Sequence, residues 1–215
     1  MNIPKTILSV TLILICSMPV LISCEEPGVS PAWSGYIPLA SDTQIHYKRE
    51  WILTDDDETI FSIDTLTFTI SDDTLVDGKR YKKIIDLNSN LLKIARREGS
   101  SYFGRDYTGW DESPEETMFF DATVAIGDSW SNIVSGEKRE YIVQQANASS
   151  IVNGINYENV IKIKVNYYAG TYGNPPYEYL QYSTEHWYAP RVGEIYSYYP
   201  CSISGCYCDF RLTRI

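Results

Sequence analysis

One stretch of this chain occurs twice, and it limits what the chain can fold into. Leu75-Val76-Asp77-Gly78-Lys79-Arg80-Tyr81-Lys82-Lys83-Ile84-Ile85 returns as Ile151-Val152-Asn153-Gly154-Ile155-Asn156-Tyr157-Glu158-Asn159-Val160-Ile161. The two share an apolar pair, Asp or Asn before Gly, a Tyr and a second apolar pair at the same spacing. Asp-Gly and Asn-Gly supply the two positive-φ residues of a type I′ turn, so each copy is expected to form a tight β-hairpin. The match continues downstream, where Ala95, Arg97, Gly99 and Tyr102 correspond to Ala189, Arg191, Gly193 and Tyr196.

The segments between these landmarks also read as strands. Ile45 to Leu53 is one; Ile60 to Ile70 alternates, with Leu66, Phe68 and Ile70 forming the stronger apolar face. Leu91 to Arg97 and Ser101 to Asp106 follow, then Met118-Phe119-Phe120, Glu140 to Val143, Val160 to Tyr168 and Glu185 to Tyr199. No stretch keeps a helical period for more than a turn or two. The 18 Tyr, 5 Trp and 6 Phe suit pleated sheets and suffice for a packed core. The expected fold is all-β: an antiparallel sheet, open barrel or sandwich built from two duplicated hairpin modules, about 36–106 and 119–199, inside one domain at 35–215. On the last strand Cys206, Cys208, Phe210 and Leu212 share a face, which should point to the core.

Before that domain come Lys5, an apolar run from Ile7 to Cys16, and Leu21-Ile22-Ser23-Cys24. A short basic start with an apolar stretch of this length is a secretory signal, 1–23, and too short for a stable span. Leu21-Ile22-Ser23-Cys24 resembles the bacterial lipoprotein lipobox, which implies acylation of Cys24 and attachment to a membrane. Residues 24–34, rich in Pro, Gly and Ser, read as a flexible tether. Glu25-Glu26 resembles the acidic export tag of surface lipoproteins in the Bacteroidetes. Without Lys5 the chain keeps 17 of its 18 Lys and Arg against 28 Asp and Glu, a net charge of −11. Nucleic acid is excluded as a partner, because phosphates need a basic surface to replace their counterions.

The motifs Gly127-Asp128-Ser129-Trp130, Val152-Asn153-Gly154 with Tyr157, and Trp187-Tyr188-Ala189 with Val192-Gly193 and Ile195 carry a wider likeness. Together they resemble a large group of uncharacterised Bacteroidetes cell-envelope lipoproteins. The resemblance spans Tyr36 to Tyr199 and departs from the group at Pro190-Arg191. It implies an outer-membrane lipoprotein, surface-exposed where the acidic tag acts, and it brings no catalytic residue.

Chemistry is sparse. His46 and His186 are too few for a three-His zinc site, and each stands alone on a strand. The nucleophile elbow, the phosphate loop and the dinucleotide fingerprint are all missing, so neither a metal nor a cofactor is expected. Cys201, Cys206 and Cys208 flank the turn signal Ser204-Gly205; an exported chain would bridge Cys201 to Cys206 or Cys208. Asp64-Thr65-Leu66 and Asp73-Thr74-Leu75 resemble the Bacteroidetes O-glycosylation acceptor, marking Thr65 and Thr74. Asp55-Asp56-Asp57-Glu58 lacks the alternating spacing of a Ca²⁺ loop and reads as a solvated turn.

The second module carries an insert from Ala169 to about Tyr182 with Gly173-Asn174-Pro175-Pro176 at its tip. Read as a projecting loop, it offers Tyr172, Tyr177, Tyr179, Tyr182 and Trp187 as a binding face for glycan or peptide. The expected function is that of a membrane-anchored, non-catalytic binding or structural domain. The alternative is a hydrolase of envelope or host polymers, which would need titratable pairs converging in a pocket.

Overall fold

Both Gly-containing turns form as the local chemistry dictates. Asp77 and Gly78 have φ of 50° and 74°, and Asn153 and Gly154 have φ of 50° and 77°. The register on either side is the same: Tyr81 stands opposite Thr74, and Tyr157 opposite Ser150. The structure, a computed structural model, describes residues 35–54, 58–107, 115–134, 136–171, 174–200 and 208–215, and their side chains except at 53–54, 58–61, 171, 174–178 and 208.

The described residues hold twelve strands. They are β1 Thr43–Thr54, β2 Glu58–Val76, β3 Lys79–Asp86, β4 Leu91–Glu98, β5 Ser101–Asp106 and β6 Thr117–Asp121, then β7 Ser129–Val134, β8 Glu137–Val152, β9 Ile155–Thr171, β10 Asn174–Ala189, β11 Gly193–Tyr199 and β12 Cys208–Arg214. All pair antiparallel in one sheet of order β6-β5-β4-β3-β2-β1-β12-β11-β10-β9-β8-β7. Each six-stranded half is a meander, and the halves join where β1 pairs β12 from Tyr47↔Arg214 to Leu53↔Cys208. The order runs round to β6 and β7, consecutive in the chain, so the sheet is a nearly closed barrel with one seam.

Side chains bridge that seam. Trp130 Nε1 and Asn132 Nδ2 both donate to the Met118 carbonyl, at 3.0 and 2.8 Å. Phe120 on β6 is fully buried, with its ring 4.5 Å from Tyr188 on β10, 5.6 Å from Tyr102 and 5.2 Å from Tyr36. Aromatic pairs at these separations add to the area they bury, so this cluster ties the two halves at one end of the barrel.

Residues 35–39 close the same end. Arg191 N donates to the Gly35 carbonyl at 2.9 Å, Ile37 N to the Tyr102 hydroxyl at 3.3 Å, and Tyr36 OH to the Asn159 carbonyl at 2.7 Å. Gly35 has no room for a side chain, since a Cβ there would lie 2.3 Å from the Tyr102 hydroxyl.

The duplicated tyrosines share a register but not an environment. Tyr81 is 1% exposed and donates to Glu116, at 2.5 Å; Arg96 Nε and Lys79 Nζ reach the same carboxylate at 2.5 Å each. Arg96 foremost holds the Glu116 carboxyl down to about 2. Tyr157 instead packs half-buried on a second cluster of Val152, Val160, Ala189 and Ile195.

Two expectations change. The insert is no loop, because the β9–β10 ladder continues through it from Tyr168↔Leu180 to Thr171↔Asn174. Pro175 and Pro176 cannot donate to a ladder, and they fall in the register shift between Asn174 and Tyr177. On β12, Leu212 is buried in the core and Phe210 packs half-buried against it, yet Asp209 and Thr213 on the other face are also buried. The outside of this region is itself covered, as Glu50 at 5% and Ile52 at 1% exposure show. The signal, the tether, the acidic run at 55–57 and the cysteine bridge lie outside the described residues.

A Cβ at Gly78 or Gly154 would meet nothing within 4 Å. Alanine at either therefore carries only the left-handed backbone penalty of roughly 1–2 kcal/mol. Urea unfolding of Gly78→Ala and Gly154→Ala should show similar losses that add in the double variant. Two unchanged midpoints would contradict the turn assignment.

Candidate functional site

Alternation along the strands turns one side chain in two toward the barrel axis, and these residues enclose a lumen of about 480 Å³. Its closed end is formed by Ile37, Pro38, Val192 and Gly193. A Cβ at Gly193 would press on Pro38 at 3.1 Å, and φ there is +91°, so this contact needs glycine. Ile45, Phe68, Ile84, Ile163, Val165 and Leu212 make an apolar middle. The opposite end, the mouth, is polar: Lys93, Asp106, Thr117, Arg139 and Tyr182 surround it.

Charges meet at the mouth across the seam. Asp106 on β5 faces Lys93 on β4 at 3.4 Å and Arg139 on β8 at 3.4 Å. Lys93, then Arg139, hold the Asp106 carboxyl below its ordinary range against the opposing effect of burial. Asp106 keeps 38% of its side chain exposed, so solvent reaches this end. Arg139 also contacts Glu137 at 3.4 Å and lies over the Tyr167 ring, and Lys93 Nζ lies 3.9 Å from the Phe119 centroid.

Tyrosines line the wall. Tyr167 and Tyr182 stack at 4.3 Å and 14°, and Tyr141 stacks on Trp130 at 5.0 Å and 4°. Burial, the largest cause, pushes Tyr141 and Tyr182 up to about 12 and raises Tyr47, Tyr188 and Tyr199 well above the ordinary phenol range.

His186 is not alone. Its Nδ1 lies 2.6 Å from Glu194 Oε1 and its Nε2 2.8 Å from Thr184 Oγ1. The connectivity is that of a hydroxyl, a base and an orienting carboxylate. Thr184, however, is fully buried and does not line the lumen, so no substrate carbonyl can reach its hydroxyl. His46 Nδ1 lies 3.0 Å from Thr67 Oγ1. Among the described residues no three His, Cys, Asp or Glu gather in a metal site.

The residues expected to form a binding face do not share one. Tyr182 lines the lumen, whereas Tyr179 is 61% exposed outside it. Trp187 packs on Tyr196 at 4.3 Å beneath Lys162 Nζ at 3.8 Å. Tyr172 lies outside the described residues, as do the side chain of Tyr177, Cys24, Cys201, Cys206 and the Cys208 thiol. Thr65 is exposed and Thr74 half-buried on β2, with the preceding Asp64 and Asp73 in ion pairs with Arg49 and Lys82. Sequence reading missed Lys93, Asp106 and Arg139 altogether, since only closure of the barrel brings β4, β5 and β8 together.

A phenol whose folded pKa is raised stabilises the fold fully below its unfolded value near 10, and that stability is lost as pH rises toward 12 and above. In an ultraviolet titration of the 18 tyrosines, a fraction should stay protonated past pH 11 and ionise only as the fold is lost. Complete ionisation by pH 11 with the fold intact would contradict a buried tyrosine wall.

No family model and no curated relative matches the chain. Among solved structures it is similar to a protein provisionally named as exported, with a YmcC-like fold, from Bacteroides fragilis NCTC 9343. That pair shares 12% identity with a TM-score of 0.43, covering 84% of this chain and 97% of the other. It is also similar to a provisionally named lipoprotein from Parabacteroides distasonis ATCC 8503, at 11% identity and a TM-score of 0.37, with 84% and 97% covered.

Proposed function

We propose that this chain is a lipid-anchored protein of the bacterial outer membrane whose barrel lumen binds a small amphipathic molecule. The observation that carries the reading is the lumen of about 480 Å³, apolar in its middle and polar at its mouth. Binding pockets for small molecules are concave, of this size, and mostly apolar with a few placed polar groups. A cavity lined by Tyr47, Tyr141, Tyr167, Tyr182 and Tyr199 offers broad rigid surfaces with hydroxyl tips.

The anchor belongs to the same reading. Acylation of Cys24 in Leu21-Ile22-Ser23-Cys24 fixes the chain to lipid, and Glu25-Glu26 directs it to the outer face. Ten residues lie between Cys24 and Gly35, a reach of at most about 40 Å. The tether joins the barrel at its closed end, which leaves the mouth free to face away from the membrane. A hydrolase has the Thr184–His186–Glu194 contacts in its favour, and the burial of Thr184 against it.

Two measurements on the full chain test the proposal. Cys24→Ala should abolish acyl labelling and release the protein to the soluble fraction; persistent labelling would refute the anchor. Nile red, a neutral dye, should bind with one-to-one stoichiometry, and Val165→Trp should abolish binding with the fold retained by circular dichroism. Unchanged dye binding in that variant would refute the lumen as the site.

A further inference from the structure

Among the described residues every other charged cluster holds at least one ion pair at 2.8 Å or less, even where a second is as long as Arg80–Asp73 at 3.5 Å; the mouth holds none. Lys93–Asp106, Arg139–Asp106 and Arg139–Glu137 all stand at 3.4 Å. Outside the lumen, Lys79–Glu116, Arg96–Glu116, Arg105–Asp77 and Arg211–Glu50 stand at 2.5–2.8 Å. At 3.4 Å a charge-assisted hydrogen bond is near its limit, well beyond the 2.7–2.9 Å of a strong one. Asp106 is shared between two cations and pairs with each only at long range.

A protein of net charge −10 thus gathers two cations around one carboxylate at the rim of a mostly apolar lumen. Glu137 contacts Arg139 at Nε and is not itself a lining residue, so the Nη edge of the guanidinium faces Asp106. A third donor stands beside them: the Tyr182 hydroxyl lines the mouth and has no hydrogen-bond partner among the described residues. Burial keeps that phenol protonated up to about pH 12, so at neutral pH it is available to donate.

We infer that the ligand is an anionic amphiphile, a carboxylate on an apolar chain, with its head between Lys93, Arg139 and Tyr182 and its chain lying inward along Val165, Ile163 and Leu212. This rests on the reading of the lumen as a binding site. The volume of about 480 Å³, the space of roughly 16 waters, leaves room for a ten-carbon chain with its head group at the rim. The aromatic faces argue against a cationic head, since Lys93 already covers the Phe119 ring and Arg139 lies 5.5 Å from the Tyr167 centroid. Deeper in, His186 and Glu194 already satisfy each other, so the head group belongs at the rim.

The sign of one substitution separates this from a structural role for the ion cluster. Asp106→Asn keeps the shape and removes the carboxylate that competes for both cations. Isothermal titration with decanoate, decanamide and decyltrimethylammonium at low salt reads the outcome. The parent should bind decanoate at least tenfold more tightly than decanamide. Asp106→Asn should tighten decanoate several-fold and leave decanamide unchanged, a gain that unfolding cannot imitate. Arg139→Gln should weaken decanoate about tenfold, and Arg139→Lys should restore most of it.

Equal binding of decanoate and decanamide, or tighter binding of decyltrimethylammonium, overturns the anionic head and leaves the lumen reading standing. Binding of none of the three while Nile red still binds in the lumen overturns the amphiphile alone. Failure of the dye as well overturns the lumen reading itself.

Discussion

Everything in this fold depends on the pairing of β1 with β12, seven register positions that join strands some 160 residues apart in the chain. Without it the molecule would be two six-stranded meanders, each with a free edge at both ends. With it, four edges become two, and those two meet at the β6–β7 seam. Ordering so long a connection carries an entropic cost that local hairpins do not have. The Tyr36–Phe120–Tyr102–Tyr188 cluster offsets it, because burying four rings at one place draws β6, β10 and the segment before β1 together.

The lumen follows from the strand number. Eight strands leave an interior that side chains can fill, and twelve leave more than the tyrosines here occupy. The chain closes one end with residues 35–39 and leaves charge at the other, so one concavity has a floor, an apolar wall and a polar rim. His186 and Glu194 line it, with Thr184 buried behind them, where the β10–β11 ladder bulges at Ile195, opposite Trp187 and Tyr188. The bulge re-aims side chains that strict alternation would send apart.

Local patterns were legible in the sequence, and long-range partners were not. Asp77-Gly78 and Asn153-Gly154 specify their turns through backbone conformation alone, the period of two marks the middle of β2, and the strand-forming runs between turn signals mark β1, β4 and β5 within a few residues. The likeness of the halves was equally readable, because it needs only comparison of the chain with itself. Which strand ends meet is a different matter. Arg139 and Asp106 stand 33 residues apart on strands separated by the seam, and no local signal pairs them. Tyr182 looked like a loop residue because Pro175-Pro176 reads as a breaker; a bulged hairpin tolerates both prolines and turns the ring inward. His186 reads as isolated in the sequence because its partner Glu194 lies across a hairpin whose register the bulge shifts.

The duplication explains why the site is asymmetric. Both halves carry the same hairpin in the same register, yet only the second has β9 and β10 long enough to raise Tyr167 and Tyr182 along the wall. The longer hairpin therefore adds Tyr182 to a mouth otherwise made by β4, β5, β6 and β8. The central claim is that an apolar space exists between the two halves. Crystals of residues 25–215 pressurised with xenon test it most directly, since apolar cavities take up xenon while filled cores do not. The account predicts xenon density among Ile163, Val165 and Leu212; a lumen filled by side chains, with no xenon there, would contradict it.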